Sequence, residues 1–171
     1  MKSILLIGFD DEGASELVAD EVAAKFGLKV VIHKTPMPHV RTKGAQKNGE
    51  DVLNEVSLLR TKLKHDYALG FTTADIFVSG LDLVFGIASN KHKSAVVSTF
   101  KLKSPDAAMF KLRILKEAAH EIGHMIGLGH CPEERCAMRF SKSLGDIDMK
   151  GAEFCARCWK ELQDLSREVR V

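Results

Sequence analysis

The chain has 171 residues, of which 45% are hydrophobic and 28% charged, the size and composition of one globular domain. No stretch approaches the roughly 18 apolar residues of a membrane span, which argues against a membrane protein. The net charge of +2 is too close to neutral to indicate nucleic-acid binding through bulk electrostatics.

The amino terminus, MKSILLIGFDDEG, is unlike a secretory signal, so we expect a cytoplasmic protein. We also expect a monomer that binds neither membrane nor nucleic acid. The acidic cluster Asp10, Asp11 and Glu12 is typical of a solvated turn and helix cap. A single domain over residues 1–171 is predicted, divided at a histidine motif into lobes of about 1–127 and 128–171.

The first elements alternate between strand and helix patterns. Residues 3–9 form a continuous apolar run typical of a buried strand, and residues 28–33 predict a second strand. Between them, four apolar residues recur at helical spacing up to Gly27: Leu17, Val18, Val22 and Phe26. This order predicts parallel pairing of the strands through a right-handed crossover.

The middle of the chain predicts one helix and several short strands. Residues 35–49 contain TPMPHV and a polar stretch, which indicates a surface loop. Helical spacing resumes at Val52, Val56, Leu59 and Leu63. Short β-branched segments then predict strands of a mixed sheet at residues 67–72, 76–78, 83–89 and 95–102.

Two further helices are predicted. Ser104 as N-cap and Pro105 at the first helical position indicate the start of a long helix that ends at Gly127. Its predicted apolar stripe is Met109, Leu112, Leu115, Ala119, Ile122 and Ile126. The last helix is indicated by the spacing of Cys155, Cys158, Trp159, Leu162, Leu165 and Val169.

Residues 119–131 read AHEIGHMIGLGHC. His120 and His124 lie four residues apart, so on a helix they face the same ion, and Glu121 can approach a zinc-bound water without being a ligand. Glycines at 127 and 129 let the chain turn and bring His130 in as a third ligand. Three imidazoles leave the fourth zinc position to water, the pattern of a catalytic site.

With Glu121 as general base, that zinc-bound water can attack a polarised carbonyl, which predicts peptide or amide hydrolysis. The alternative is that these histidines are merely packed or solvated. It requires all the fixed positions of HExxHxxGxxH to coincide by chance.

The four cysteines form a second candidate metal site. Cys131, Cys136, Cys155 and Cys158 can supply a closed tetrahedron of thiolates, which predicts a structural zinc, with iron also possible. Two disulfides, buried thiols or a redox CxxC pair are the alternatives. Because His130 and Cys131 are adjacent, the structural zinc would hold the third histidine in position.

The segment HEIGHMIGLGHCPEERCAM, followed by CARC, resembles the archaemetzincins, a metzincin-like family of zinc metallopeptidases. The resemblance implies a zincin-like α+β fold, with a twisted mixed sheet packed against helices, a long active-site helix and a C-terminal helix tied by the cysteine site. It implies two zinc ions per chain, a catalytic one at His120, His124 and His130 with Glu121 as general base, and a structural one at the four cysteines. Met138 would be the methionine-turn residue beneath the catalytic zinc, the alternative being an ordinary core methionine.

The resemblance implies a metallopeptidase acting on peptides or proteins, and an aminopeptidase is one specificity that it suggests. The strand at residues 95–102 is the candidate edge for pairing with an extended peptide. Some metzincins use a tyrosine to stabilise the oxyanion, but the single tyrosine here is Tyr67. The alternative function is therefore a zinc-stabilised binding protein with weak or no peptidase activity. A nucleic-acid-binding zinc ribbon is disfavoured because CPEERC and CARCWKE contain no basic stripe.

Overall fold

The computed structural model describes residues 1–10, 13–81 and 83–168. The predictions for Asp11, Glu12 and Val169 lie outside these residues. The elements are β1 (Ser3–Phe9), α1 (Ala14–Phe26), β2 (Lys29–Thr35), β3 (Thr42–Lys43), β4 (Gln46–Asn48), α2 (Gly49–Lys62), β5 (Tyr67–Thr72), β6 (Ile76–Phe77), β7 (Gly86–Ser89), β8 (Ser94–Ser98), a 3-10 helix (Phe100–Leu102), α3 (Ala107–Ile126), α4 (Leu144–Met149) and α5 (Ala156–Glu168). No helix within the described ranges is both long and apolar enough to cross a membrane.

The main sheet has five strands in the order β2-β1-β5-β8-β7. Parallel pairing joins β1 to β2 and β5, and joins β5 to β8, whereas β7 runs antiparallel to β8. A smaller sheet has the order β3-β4-β6. The predicted parallel pairing across α1 and the mixed character of the sheet are confirmed.

Helices cover both faces of the main sheet, and the side chains of β1 alternate between two cores. Ile4 and Leu6 join the core that contains residues of α1 and α3. Leu5, Ile7 and Phe9 join the core that contains residues of α2. The alternation follows from the pleat of a strand, and each fully buried aliphatic side chain contributes about 1.5–3 kcal/mol. Because α3 packs on β7 and β8, its histidine-bearing half lies at one edge of the sheet.

The prediction that residues 95–102 form the substrate-binding edge is wrong. β8 ends at Ser98, is followed by the 3-10 helix, and lies between β5 and β7. The edge strand is instead β7, which begins at Gly86 rather than at residue 83. The order of strands depends on non-local pairing, which the local pattern of short apolar segments does not specify.

The start and the apolar face of α3 also differ from the prediction. Asp106, not Ser104, is the N-cap, and its carboxylate accepts hydrogen bonds from the amides of residues 108 and 109. Met109 and Leu112 are 36% and 40% exposed. At about 100° per residue, both positions point more than a quarter turn away from the buried row, which is Ile114, Ala118, Ile122 and Met125.

Two short regions were not predicted. The expected loop at residues 35–49 contains β3 and β4, whose lengths of two and three residues are too short for a periodic pattern. The helix α4 has six residues, begins after the N-cap Ser143 and buries Ile147. Its carboxyl end leads directly to Lys150, which enters the cleft described below.

Candidate metal centres

The histidine motif spans the end of α3 and the turn that follows. His120 and His124 lie on the last two turns of the helix, which ends at Ile126. Gly127 has a φ of +130° and donates its amide to the carbonyl of Gly123, so a glycine is needed where the chain leaves the helix. The turn returns His130 to the same point, and one ligand atom from each histidine lies within 4.8 Å of the others.

Backbone carbonyls orient the two helical imidazoles. Nδ1 of His120 lies 2.8 Å from the carbonyl oxygen of Ala137, and Nδ1 of His124 lies 2.8 Å from that of Leu128. If each Nδ1–H donates to its carbonyl, both Nε2 atoms present lone pairs, and these atoms are 3.0 Å apart. Ligands at 2.0–2.1 Å around a tetrahedral zinc are separated by about 3.3 Å. The donor set therefore fits a zinc ion.

The protein keeps these imidazoles neutral. Burial lowers the pKa of His120 to about 2, and the positive charge of Lys150 acts in the same direction. Burial also lowers the pKa of His124 and of His130. Only a neutral imidazole binds a metal. The three histidines therefore do not have to release protons in order to bind zinc near neutral pH.

Glu121 lies beside the histidines in a cleft between α3 and β7. Burial raises the pKa of its carboxyl well above the ordinary value, the charge of Glu117 adds to the increase, and Lys150 opposes it. A divalent cation in the histidine cluster would lower this pKa again, because it stabilises nearby negative charge. The carboxylate is thus placed to exchange a proton close to an ion bound by the histidines, without belonging to the ligand cluster.

The four cysteines converge on a second point. Their sulfur atoms lie within 4.8 Å of one another, and Cys131 Sγ is 3.8 Å from Cys155 Sγ. Thiolates at 2.3 Å around a tetrahedral zinc are roughly 3.8 Å apart, so the cluster fits a closed zinc site. All four are free cysteines in the structure, which gives the disulfide alternative no support.

Donors around the sulfur atoms support thiolate charge. The amides of Met138 and Cys155 approach Cys136 Sγ at 3.5 and 3.4 Å, and Arg157 Nη2 donates to Cys131 Sγ at 3.2 Å. The amide of Cys158 lowers the pKa of Cys155 to about 7. Burial raises the pKa of the Cys136 thiol, which a bound zinc would reverse.

Met138 is fully buried and packs against the helix that bears the histidines. A Cβ atom added to Gly123 would overlap Met138 Sδ and lie 3.2 Å from its Cε. Glycine at this position therefore allows the methionine to approach α3 closely. The packing agrees with the expected place beneath the histidines, and the methionine-turn role of Met138 remains a prediction.

Comparisons with known proteins decide the family. The profile of peptidase family M54 matches residues 18–164. The chain belongs to peptidase family M54. Over 102 residues it is 45% identical to the archaemetzincin of Methanopyrus kandleri, an alignment that covers 60% of this chain and 58% of that relative. The aligned part thus spans less than two thirds of the relative.

Comparison with solved structures extends the likeness to nearly the whole chain. The crystal structure of the Methanopyrus kandleri archaemetzincin superimposes with a TM-score of 0.89 at 34% identity, covering 97% of this chain and 96% of that one. The structure of a zinc-dependent peptidase from Methanocorpusculum labreanum gives 0.83 at 27% identity, covering 94% and 100%. The resemblance to archaemetzincins and the zincin-like α+β fold are confirmed.

The M54 cleft contains further residues that the sequence did not reveal. Besides the histidines and Glu121, it is lined by Gly86, Glu117, Phe140, Ser141 and Lys150. Glu117 lies one helical turn before Glu121, so helical spacing could have identified it. The other four come from β7 and from the segment between Cys136 and Cys155, and no local pattern connects them to the motif.

Proposed function

We propose that this chain is a zinc-dependent peptidase that hydrolyses peptide bonds. His120, His124 and His130 would hold the catalytic zinc, Glu121 would act as general base, and the cysteine cluster would hold a structural zinc. The observation that carries the proposal is the convergence of three neutral imidazoles beside a buried carboxylate in an open cleft. Membership of a peptidase family supports peptides or proteins as the substrate class.

The residues of the cleft have different roles in the proposed reaction. Zinc, when bound, would act as a Lewis acid that polarises the scissile carbonyl and acidifies water. Glu121 accepts the proton of the attacking water and passes it to the leaving amine. The carbonyls of Ala137 and Leu128 hold the helical imidazoles in one orientation, so little reorganisation is needed during the reaction.

The substrate would extend the main sheet at β7. Ser98 donates its amide to the carbonyl of Phe85 at 2.8 Å, and Ile87 pairs with Val96. Hydrogen bonds between antiparallel strands occur at alternate residues, so the backbone groups of Gly86 and Ala88 point away from β8. They line the cleft and can bind an extended peptide by strand addition.

We also infer that residues 1–171 form one domain, with lobes of about 1–127 and 128–171 that meet at the turn after α3. The end of α3 at Ile126 and the turn at Gly127 support this division. Four free cysteines grouped as metal ligands, rather than paired in disulfides, support a reducing compartment such as the cytoplasm. The alternative of a binding protein without hydrolytic activity finds no support in the family match.

The experiment is a comparison of the parent with Glu121→Gln and His124→Ala on a peptide library of mixed sequence, with zinc content measured by elemental analysis. Glu121→Gln should retain two zinc ions per chain and lose turnover by about 10²–10⁴-fold, because it removes the base but no ligand. His124→Ala should retain one zinc and no activity. Equal turnover in Glu121→Gln and the parent would rule out the proposed peptidase mechanism.

A further inference from the structure

Three side chains line the cleft with a buried polar atom that lacks a well-angled hydrogen bond within the described part of the chain. They are Glu117, through Oε1, Ser141, through Oγ, and Lys150, through Nζ. A buried hydroxyl or ammonium without an acceptor is unfavourable, so native proteins rarely retain one without a reason. Glu117 Oε1 and Lys150 Nζ face each other as an ion pair, whereas Ser141 Oγ has no counterpart within the described residues. Its hydroxyl can donate to an acceptor that enters the cleft from outside the protein.

Lys150 is held in place by an ion pair that does not exhaust its donors. Its side chain is fully buried, and Nζ faces Glu117 Oε1 at 2.7 Å. The angles of this approach are not those of a hydrogen bond. Glu117 therefore supplies a counter-charge and fixes the position of the ammonium group, which carries three N–H donors and faces this one carboxylate.

A second buried lysine shows how the same region satisfies an ammonium group when the role is structural. Lys116 Nζ donates to the carbonyl oxygens of Ile147 and Asp148, each at 2.9 Å. These bonds tie α3 to α4, and Lys116 does not line the cleft. The contrast separates Lys150 from lysines that merely connect the two helices.

Among the side chains of the cleft, few can donate a hydrogen bond to the oxyanion. Apart from the histidines, Ser141 and Lys150 are the only described lining residues whose side chains carry an N–H or O–H group. Tyr67 lies in β5, is buried and does not line the cleft. Phe140 packs its ring 4.9 Å from that of His130 and has no hydroxyl to offer.

We propose that Lys150 Nζ, assisted by Ser141 Oγ, donates hydrogen bonds to the scissile carbonyl oxygen as negative charge develops on it. This rests on the proposed peptidase function. As the water oxygen bonds to the carbonyl carbon, the π electrons of the carbonyl move to its oxygen and the water proton passes to Glu121. Lys150 donates hydrogen bonds without transferring a proton to the oxyanion, which collapses when the C–N bond breaks and Glu121 protonates the amine.

The test compares Lys150→Met with Lys116→Met in the zinc-loaded protein. Lys150→Met should lower kcat by about 10²–10³-fold with KM nearly unchanged, since one oxyanion donor is lost. It should weaken binding of a phosphinic-acid peptide, a stable anionic mimic of the tetrahedral intermediate, by a comparable factor in calorimetry. Lys116→Met removes an equally buried lysine and should leave both quantities at parental values. Ser141→Ala should lower kcat by about tenfold.

Two further variants separate catalysis from structure. Because Lys150→Met leaves Glu117 buried without its counter-charge, the double variant Glu117→Gln/Lys150→Met serves as the test if the single variant folds poorly. It should show the same loss of kcat and of phosphinic-peptide binding. Lys150→Arg, which keeps the charge, should restore part of both. Zinc content should stay at the parental value in every variant.

Three results would overturn the proposal. One is a decrease of kcat in Lys150→Met that is no larger than the decrease in Lys116→Met. Another is a loss restricted to peptides with acidic side chains or a free carboxyl terminus and absent for amidated neutral peptides, which would make Lys150 a ligand for a substrate carboxylate. The last is unchanged phosphinic-peptide affinity. This binding arm needs no turnover, so it remains decisive even if the parent cleaves no peptide and the proposed function fails.

Discussion

At the scale of single residues, the clearest constraint on the site is the approach of Gly86 to Glu121. A Cβ atom built on Gly86 would lie 2.5 Å from Glu121 Oε1 and 2.7 Å from its Cγ and Cδ. The edge strand therefore reaches the carboxylate with no space for a side chain. Glycine at this position sets the place of the proposed base, although it belongs to a different element.

Gly86→Ala should consequently displace the Glu121 side chain and lower kcat/KM by about 100-fold, since a misplacement of about 1 Å has that effect in active sites. Zinc content should not change, because no ligand is touched. The matched control is Gly145→Ala in α4, where the nearest atom to an added Cβ is Ser143 Oγ at 3.6 Å. Parental kcat/KM in Gly86→Ala would show that the position of Glu121 does not limit turnover.

The buried histidines also predict a pH dependence for the metal-free protein. Burial lowers the pKa of His120 from 6.5 to about 2, so between these values the unfolded chain binds a proton that the folded chain excludes. The contribution of His120 to stability is therefore present above pH 6.5 and is lost as the pH falls toward 2. Glu121 acts in the opposite sense, because burial raises its pKa.

A variant isolates the histidine contribution. Urea unfolding of metal-free parent and His120→Gln at pH 7.5 and pH 5 should show the parent losing more of its unfolding free energy than the variant as the pH falls. Other titrating groups are common to both proteins and cancel in the comparison. An identical pH response in the two proteins would show that His120 is not desolvated in solution as its buried position indicates.

At the scale of elements, the edge strand β7 predicts a dependence on substrate length. The amide of Ala88 points away from β8 and toward the proposed substrate. Ala88→Pro removes this donor while leaving the pairing of Ile87 with Val96 in place. KM for extended peptides should rise by about tenfold, the effect expected from the loss of one hydrogen bond. KM for dipeptides, which are too short to pair with β7, should not change. An equal change for both would indicate general damage to the cleft.

The same strand shows the limit of prediction from sequence. The bounds of β1 and β5, the end of α1 at Gly27 and the seven candidate ligands were predicted, because apolar periodicity and ligand spacing are local in the chain. The edge role of β7 was not, because it depends on which strands become neighbours. Gly86 and Lys150 were likewise missed, since they reach Glu121 and Glu117 only through tertiary packing.

The start of α3 shows a finer limit. Ser104-Pro105 has the features of a helix start, yet Asp106 caps the helix and Ser104 Oγ accepts a hydrogen bond from its amide. Both residue types are good N-caps. Which of them caps the helix depends on the position of the backbone after the preceding 3-10 helix. The sequence thus predicted correctly that this segment is a helix, but it did not predict the residue at which the helix begins.

At the scale of the whole molecule, the two metal centres share one loop. Cys131 follows His130 directly, and its amide donates to the carbonyl of Met138 at 2.9 Å. The neighbouring carbonyl, that of Ala137, lies 2.8 Å from Nδ1 of His120. The loop closed by the thiolates therefore holds one histidine through the chain and orients another through a hydrogen bond.

Loss of the cysteine site should accordingly weaken the histidine site, but not the reverse. Cys155→Ser should lose the structural zinc and lower the zinc affinity of the histidines by about 10–100-fold, as is typical when groups that orient metal ligands are disturbed. His124→Ala should lose only the catalytic zinc, because the four sulfur atoms are held without it. Competition with a chelator at fixed pH measures both affinities, with circular dichroism to establish that each variant is folded. If the histidine site of folded Cys155→Ser bound zinc as tightly as the parent, the shared loop would be rigid without its zinc. The proximity of the two centres would then have no part in preparing the site for catalysis.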